Sequence, residues 1–201
     1  EISISFAMML CCYLLIFSGT LYLIKKTPRK FTYFLIVVLL IQSLYFFEER
    51  KAIEKESLIV FHKSRFSIVG KRKGLNLKIQ QHIDTLKPSE INIIKSYVTA
   101  EYIQYVENVN FKNFIQFKEK NILIVDSLGV YQLNKLAHPI VILQHSPKIN
   151  LERLIHRLKP SLIIADGSNY KSYASNWEKI SIKNKIPFHD TRKKGAFKLE
   201  Y

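Results

Sequence analysis

The chain has 201 residues, with 31 lysines and arginines against 16 aspartates and glutamates for a formal charge of +15, and 48% of its residues are apolar. That apolar share excludes an intrinsically disordered tail, two cysteines exclude a disulfide-built scaffold, and the charge excludes a surface suited to cationic partners. Polyanions such as nucleic acid or anionic lipid headgroups are the partners it suits, although a lysine-rich surface also serves simply to keep a domain soluble.

Two apolar runs open the chain. Ile2–Ile24 holds 23 residues without a formal charge, roughly 34 Å as a helix, and Phe31–Phe47 holds 17, roughly 26 Å. Lys25, Lys26, Arg29 and Lys30 fill the connection and Pro28 interrupts it, so the two runs read as a transmembrane hairpin with a tight basic turn. A signal peptide would be shorter and would start basic. A buried soluble pair of helices would need a polar face that Phe34–Ile41 lacks. The start at Glu1, so close to the first run, reads as the carboxy-terminal piece of something longer, with further transmembrane helices before it. The basic turn belongs on the cytoplasmic side, which places the residues after Glu48 on the periplasmic face. Cys11 and Cys12 lie inside the first span, where they serve as small apolar side chains.

Residues 1–50 are thus a membrane hairpin, with spans over about 2–24 and 31–47, and 51–201 a soluble domain. The domain carries 26 lysines and arginines against 13 acids, a formal +13. Glu48–Glu56 is a charged, helix-favouring junction. Leu58–Phe61, Phe66–Val69 and Leu75–Ile79 read as a three-strand meander, with Gly70–Gly74 as a basic hairpin tip. A P-loop is excluded there, since no Gly-Lys-Ser/Thr ending follows and no helix does either. Ser89-Glu90 suits a helix cap, and Ile91, Ile94, Val98, Tyr102 and Tyr105 have helical spacing, although the Tyr, Val and Thr content also permits a strand.

Asn113–Phe117 and Ile122–Val125 form a hairpin across Lys118–Asn121, and the wholly apolar second strand belongs inside a sheet. A strand and helix alternation follows. Ile140–Leu143 is a buried strand, Asn150 caps the amphipathic helix Leu151–Leu158, and Leu162–Ala165 is a second buried strand. A helix over 172–183 and a last strand, Ala196–Leu199, complete the chain. Asp126, Gln144–Ser146 and Asp166–Asn169 end buried strands, where functional groups of layered α/β folds collect. The histidines are scattered and supply no zinc ligand set; His82 and Asp84 form the one close pair. No nucleophile elbow is present. Asn169, Tyr170, Lys171 and Trp177 cluster around a turn able to stack a base and hold a phosphate, although Trp177 reads rather as a packing side chain.

The strings Ser146–Ile155, Leu158–Pro160, Ile163–Tyr173, Trp177, Lys185–His189, Thr191 and Lys194–Phe197 closely resemble the carboxy-terminal end of ComEC-type competence proteins of Bacteroidetes-like bacteria. Phe61–Arg65 with Gly70, and Ile122–Tyr131, are similar to earlier blocks of the same region. The resemblance implies an αββα fold of the metallo-β-lactamase type behind a transmembrane hairpin, in a multi-pass inner-membrane channel that admits DNA during transformation. In that fold a Thr-Gly-Asp block ends one strand and a His-His-Gly-Ser block the next. Val125–Ser127 and Gln144–Ser146 fall where those would, so Asp126, His145 and Asp166 stand as a remnant strand-end site.

The family's His-x-His-x-Asp-His block, due between Ile79 and Phe114, is absent. The resemblance therefore implies a degenerate lactamase domain with no metal, no cofactor and no catalytic residues. It would bind DNA without sequence preference, beside the preceding helices of the same chain and other competence proteins. The basic residues expected to meet DNA are Lys63, Arg65, Lys71, Arg72, Lys73, Lys148, Lys171, Arg192, Lys193 and Lys194. The alternatives are a metal-dependent nuclease acting on the strand that is not imported, or a structural domain docked on the membrane surface.

Overall fold

A computed structural model describes residues 6–81, 91–110, 113–131 and 138–201. Helices α1 (Phe6–Ile24) and α2 (Pro28–Glu54) form the expected hairpin, both long and apolar enough to cross a membrane. Pro28 opens α2, where its missing N–H costs nothing. Gly19 packs beside the Phe34 ring, where a Cβ would make an ordinary van der Waals contact at 3.6 Å. Phe6, Leu23 and Leu39 are more than 60% exposed, and no residue of α1 is buried. Such a continuous apolar surface suits lipid and not water. Helix α2 runs past the apolar stretch to Glu54, so the charged junction is its last two turns.

The remainder is mixed α/β. Strands β1 (Glu56–Val60), β2 (Ile68–Lys73), β3 (Asn76–Gln81), β4 (Tyr105–Asn108) and β10 (Phe197–Glu200) make one sheet in the order β10-β1-β2-β3-β4. Strands β5 (Phe114–Phe117), β6 (Lys120–Val125), β7 (Ile140–Leu143), β8 (Leu162–Ala165) and β9 (Phe188–Asp190) make the second, in chain order. Within it β6 to β9 are parallel and β5 is an antiparallel edge. Helix α3 (Asn92–Ala100) lies outside the first sheet, and α4 (Leu151–Leu158) and α5 (Lys171–Lys183) lie outside the second.

Strand alternation builds these layers. Ile122, Ile124, Ile140, Ile142 and Ile164 point inward to meet Leu58 and Val60 of the first sheet. Their neighbours Leu123, Val125, Val141, Leu143 and Ile163 point outward, under Leu154, Leu158 and Trp177 of α4 and α5. On the far side, Ile59, Ile68, Leu77 and Ile79 are covered by Ile91, Ile94 and Ile103. Asn150 caps α4 as expected, its Oδ1 accepting the Arg153 N–H at 3.0 Å, and Lys159 ends the helix in the left-handed region before Pro160.

Several boundaries differ from expectation. Gly70, Lys71, Arg72 and Lys73 belong to β2, and the tip is the two-residue turn Gly74-Leu75 between the paired Lys73 and Asn76. Gly74 has φ +60°, and a Cβ there would stand 2.8 Å from the Ile53 carbonyl oxygen, so the turn sits where only glycine fits. The turn between β5 and β6 is similarly tight, at Lys118-Glu119, with Lys118 at φ 50°. Helical spacing across Ile91–Tyr105 holds only to Ala100; Tyr102 turns left-handed and Tyr105 begins β4 beside β3. The proposed cap at Ser89-Glu90 lies outside the described residues. Strand β9 was not foreseen, being three residues long, and β10 leaves the second sheet to pair with β1.

The end of α2 is locked into the domain. Arg72 is 1% exposed; its Nε donates to the Gly74 carbonyl at 2.8 Å and one terminal nitrogen donates to the Ala52 carbonyl of α2 at 3.1 Å. The guanidinium also pairs with the Glu101 carboxylate, which Lys55 and Lys198 flank. Burial works against the Glu101 charge, but hydrogen bonds from Lys198, Lys55 and Arg72 outweigh it and hold the carboxyl at about 2. A carboxyl depressed on folding stabilises the fold above its ordinary value of 4.5 and loses that contribution as pH falls toward 2. After allowance for solvent on the cluster's edge this amounts to about 2 kcal/mol. Thermal melts of the full chain should therefore drop across that interval, and Glu101→Gln should lower the neutral-pH melting temperature while flattening the acid limb.

Candidate functional site

Parallel strands in one layer bring their carboxyl ends to one edge, so β6, β7, β8 and β9 deliver Asp126, His145, Asp166 and Asp190 to the same rim. Asp166 is fully buried, and its Oδ1 accepts from the Ser168 N–H at 3.0 Å, from the Ser168 hydroxyl, and from the Asn169 side-chain amide at 3.0 Å. These bonds shape the loop after β8. The loop then holds its neighbour: Ser168 Oγ accepts the His145 N–H at 2.8 Å and Asn169 Oδ1 accepts the Ser146 N–H at 2.8 Å. Ser146 Oγ in turn accepts the Tyr170 N–H at 2.7 Å. His145 and Ser146 both have left-handed backbones, at φ 55° and 51°, a conformation that such bonds sustain.

The first sheet joins this edge through the turn after β1. Arg65 N–H donates to the Gly167 carbonyl at 2.8 Å, and the Lys63 backbone lies so close that a Cβ on Gly167 would come within 2.2 Å of the Lys63 carbonyl oxygen. Gly167 is therefore the seat of the turn Lys63–Phe66. His62 Nδ1 meets the Thr191 hydroxyl at 3.1 Å, tying the same turn to the end of β9, where Asp190 accepts from Arg192. Burial lowers the His145 pKa from its ordinary value and the nearby Asp126 charge opposes the shift only in part, leaving the ring neutral at neutral pH.

Seven of the ten basic residues read from the sequence stand at this edge, three on loops, Lys171 at the start of α5, and three in the short helix α6 (Thr191–Lys194) that follows β9. Lys63, Arg65, Lys148, Lys171, Lys193 and Lys194 are exposed and Arg192 is half-buried. Arg192 pairs with Asp190, Lys193 with Glu178, and Lys194 Nζ donates to the Phe188 carbonyl. Tyr170, 71% exposed, stands beside Lys171, its ring 6.3 Å from Tyr173, which packs edge-on against the buried Trp177. Lys71 and Lys73 are on β2, toward the α2 end of the domain. Arg72 corrects the expectation that all ten lie at the surface: it falls on the face of β2 that it shares with Ile68, the face that α3 covers, and is consumed by Glu101 and backbone carbonyls. A lone arginine between two lysines gives no sign of this; only the alternation of a strand, once its register is known, turns it inward.

Asp126, His145 and Asp166 come together at the rim but do not make a metal centre. Asp126 Oδ1 caps its own turn by accepting the Leu128 N–H at 3.0 Å, Asp166 holds the loop after β8, and among the described residues no three His, Cys, Asp or Glu side chains converge as ligands. Among the described residues the donor set thus does not fit the binuclear centre of the lactamase type; His82 and Asp84 lie outside them. His62, Asp190 and Thr191 join the rim without a sequence signal for it, although His62 and Thr191 belong to the strings that carry the resemblance.

Comparison with known families matches residues 58–201 to the ComEC C-terminal domain. The chain belongs to the ComEC C-terminal domain family. That membership covers the whole two-sheet region and ties the chain to competence, to DNA uptake and to a membrane-associated machinery. No curated protein and no solved structure matches the chain. In the ComEC-family domain the matched residues begin at Leu58 in β1, directly behind the locked end of α2.

Proposed function

We propose that this domain guides DNA electrostatically along its strand-end edge, as the periplasmic part of a multi-pass inner-membrane uptake channel, on a lactamase-like scaffold without its metal centre. The observation that carries this reading is the gathering of exposed Lys63, Arg65 and Lys148 on loops, and of Lys171 at the start of α5, at one rim that hydrogen bonds fix. Such loops offer phosphate contacts without base-edge readout, which makes binding independent of sequence and steep in salt. The preceding helices of the full-length protein and other competence proteins are its expected neighbours.

The test is a titration of the full chain in neutral detergent with labelled single- and double-stranded DNA, across a salt series and with or without manganese or zinc. Each lost phosphate contact lowers the slope of log affinity against log salt by about 0.7–0.9. Replacing Lys63, Arg65, Lys148 and Lys171 together by Ala should lower it by about 3, with the DNA intact throughout. Metal-dependent cleavage lost on Asp126→Ala or His145→Ala would instead establish the nuclease. Absence of binding at low salt would leave a structural domain.

A further inference from the structure

The inner face of the first sheet changes character across its width. On β1 it carries Leu58 and Val60, which the second sheet covers; on β2 and β3 the same face carries Lys71, Lys73 and Lys78. Edge strand β5 rises beside these lysines, and between them lies an open groove of about 500 Å³ with the exposed Phe114 on its wall. Lys71 Nζ sits 6.0 Å over the Phe117 ring, Lys78 lies 3.5 Å from Glu107, and Glu56, opposite Lys73 on β1, pairs with Lys118.

The Lys73 end of this groove lies at the opposite end of the first sheet from the strand-end rim, and its height above the membrane follows from the lock on α2. Lys73 borders the Gly74-Leu75 turn, whose Gly74 N–H donates to the Lys55 carbonyl at 3.0 Å. The turn also contacts Ile53, six residues beyond Phe47, the last residue of the uncharged run. That is roughly 9 Å of helix, and tilting the helix only brings the turn lower. The headgroup layer occupies roughly 5–8 Å on each side of the hydrocarbon, and charges act over a Debye length of about 8–10 Å. The Lys73 end of the groove thus stands at the outer edge of the headgroup layer, within a Debye length of its phosphates.

We propose that the lysine end of the groove between β2–β3 and β5 binds the headgroup of an anionic phospholipid, with Lys71 and Lys73 on the phosphate. The site would fix the domain against the bilayer while leaving the strand-end rim turned away from it. It is independent of the DNA proposal and uses different residues.

The test is native mass spectrometry of the full chain in neutral detergent, equilibrated with equal amounts of phosphatidylglycerol and phosphatidylcholine. The wild type should retain phosphatidylglycerol preferentially. Each lysine near an anionic surface is worth about fivefold, so Lys71→Gln with Lys73→Gln should cut that preference on the order of 20-fold. Lys179→Gln with Lys183→Gln, which removes the same charge from α5, should leave it in place. An unchanged preference in the β2 variant overturns the proposal, as does an equal loss in the α5 variant, which would mark general attraction to net charge. Loss of single-stranded DNA affinity in the β2 variant alone, with its headgroup preference intact, would reassign the groove to nucleic acid.

Discussion

Arg72→Ala should lower the stability of the full chain by about 3–5 kcal/mol, the cost typical of breaking a buried ion pair and leaving its partner uncompensated. The magnitude follows from what the guanidinium holds: the carbonyls of Ala52, Gly74 and Glu101 and the Glu101 carboxylate all accept from it. At about 2–4 °C per kcal/mol for a chain of this size, the melting temperature should fall by roughly 10 °C. The loss should also be local. Because the same side chain bonds α2 to the β2–β3 turn, limited proteolysis should open the Glu54–Glu56 junction before the two-sheet core. Replacing Arg72 and Glu101 together by apolar residues of similar volume should recover part of the stability, since a buried pair is costly mainly when halved. An Arg72→Ala protein that melts like the wild type would remove Arg72 as the tie between membrane helix and domain.

Gly167→Ala is the second large effect. The Cβ would come within 2.2 Å of the Lys63 carbonyl oxygen and 2.8 Å of its carbon, both backbone atoms that no side-chain rotation relieves. Overpacking of this kind costs about 1–3 kcal/mol, and a backbone obstacle places it at the upper end. The turn carrying Lys63 and Arg65 should leave its seat, breaking the bond from Arg65 N–H to Gly167. Two consequences can be measured on one preparation: a melting temperature lower by roughly 5–10 °C, and a DNA salt slope reduced by about 1–2 as two phosphate contacts disperse. Lys63→Ala with Arg65→Ala should reproduce the second change without the first. Should Gly167→Ala keep both the wild-type melt and the wild-type slope, the turn would not be seated on Gly167 in solution.

How much was legible depended on whether the information was local. The apolar runs Ile122–Val125, Ile140–Leu143 and Leu162–Ala165 announced interior strands because a strand buried on both faces has no polar position to spare, and all three lie inside the second sheet. Helix α4 was equally plain, with a capping asparagine, an apolar stripe and a terminating proline within eleven residues of one another. The strand-end placement of Asp126, His145 and Asp166 followed from the same local order. Their duties did not: that Asp166 shapes a loop which then grips His145 and Ser146 depends on β7 and β8 being neighbours, a relation between residues 23 apart.

The sequence by itself determined the two long apolar helices, the basic charge, the alternation that makes a layered α/β domain, and the family to which it belongs. Each is written in spacing or composition within a few turns of chain. Only the tertiary structure decided which basic residues share a surface, because that depends on register and on which sheet a strand joins. It split the basic residues between the strand-end rim and the groove beside β5, buried Arg72 on the opposite face of β2 from Lys71 and Lys73, and sent β10 back to the first sheet to pair with β1. A side chain's face is fixed by its strand's parity, and parity is fixed by hydrogen-bonded partners far away in the chain.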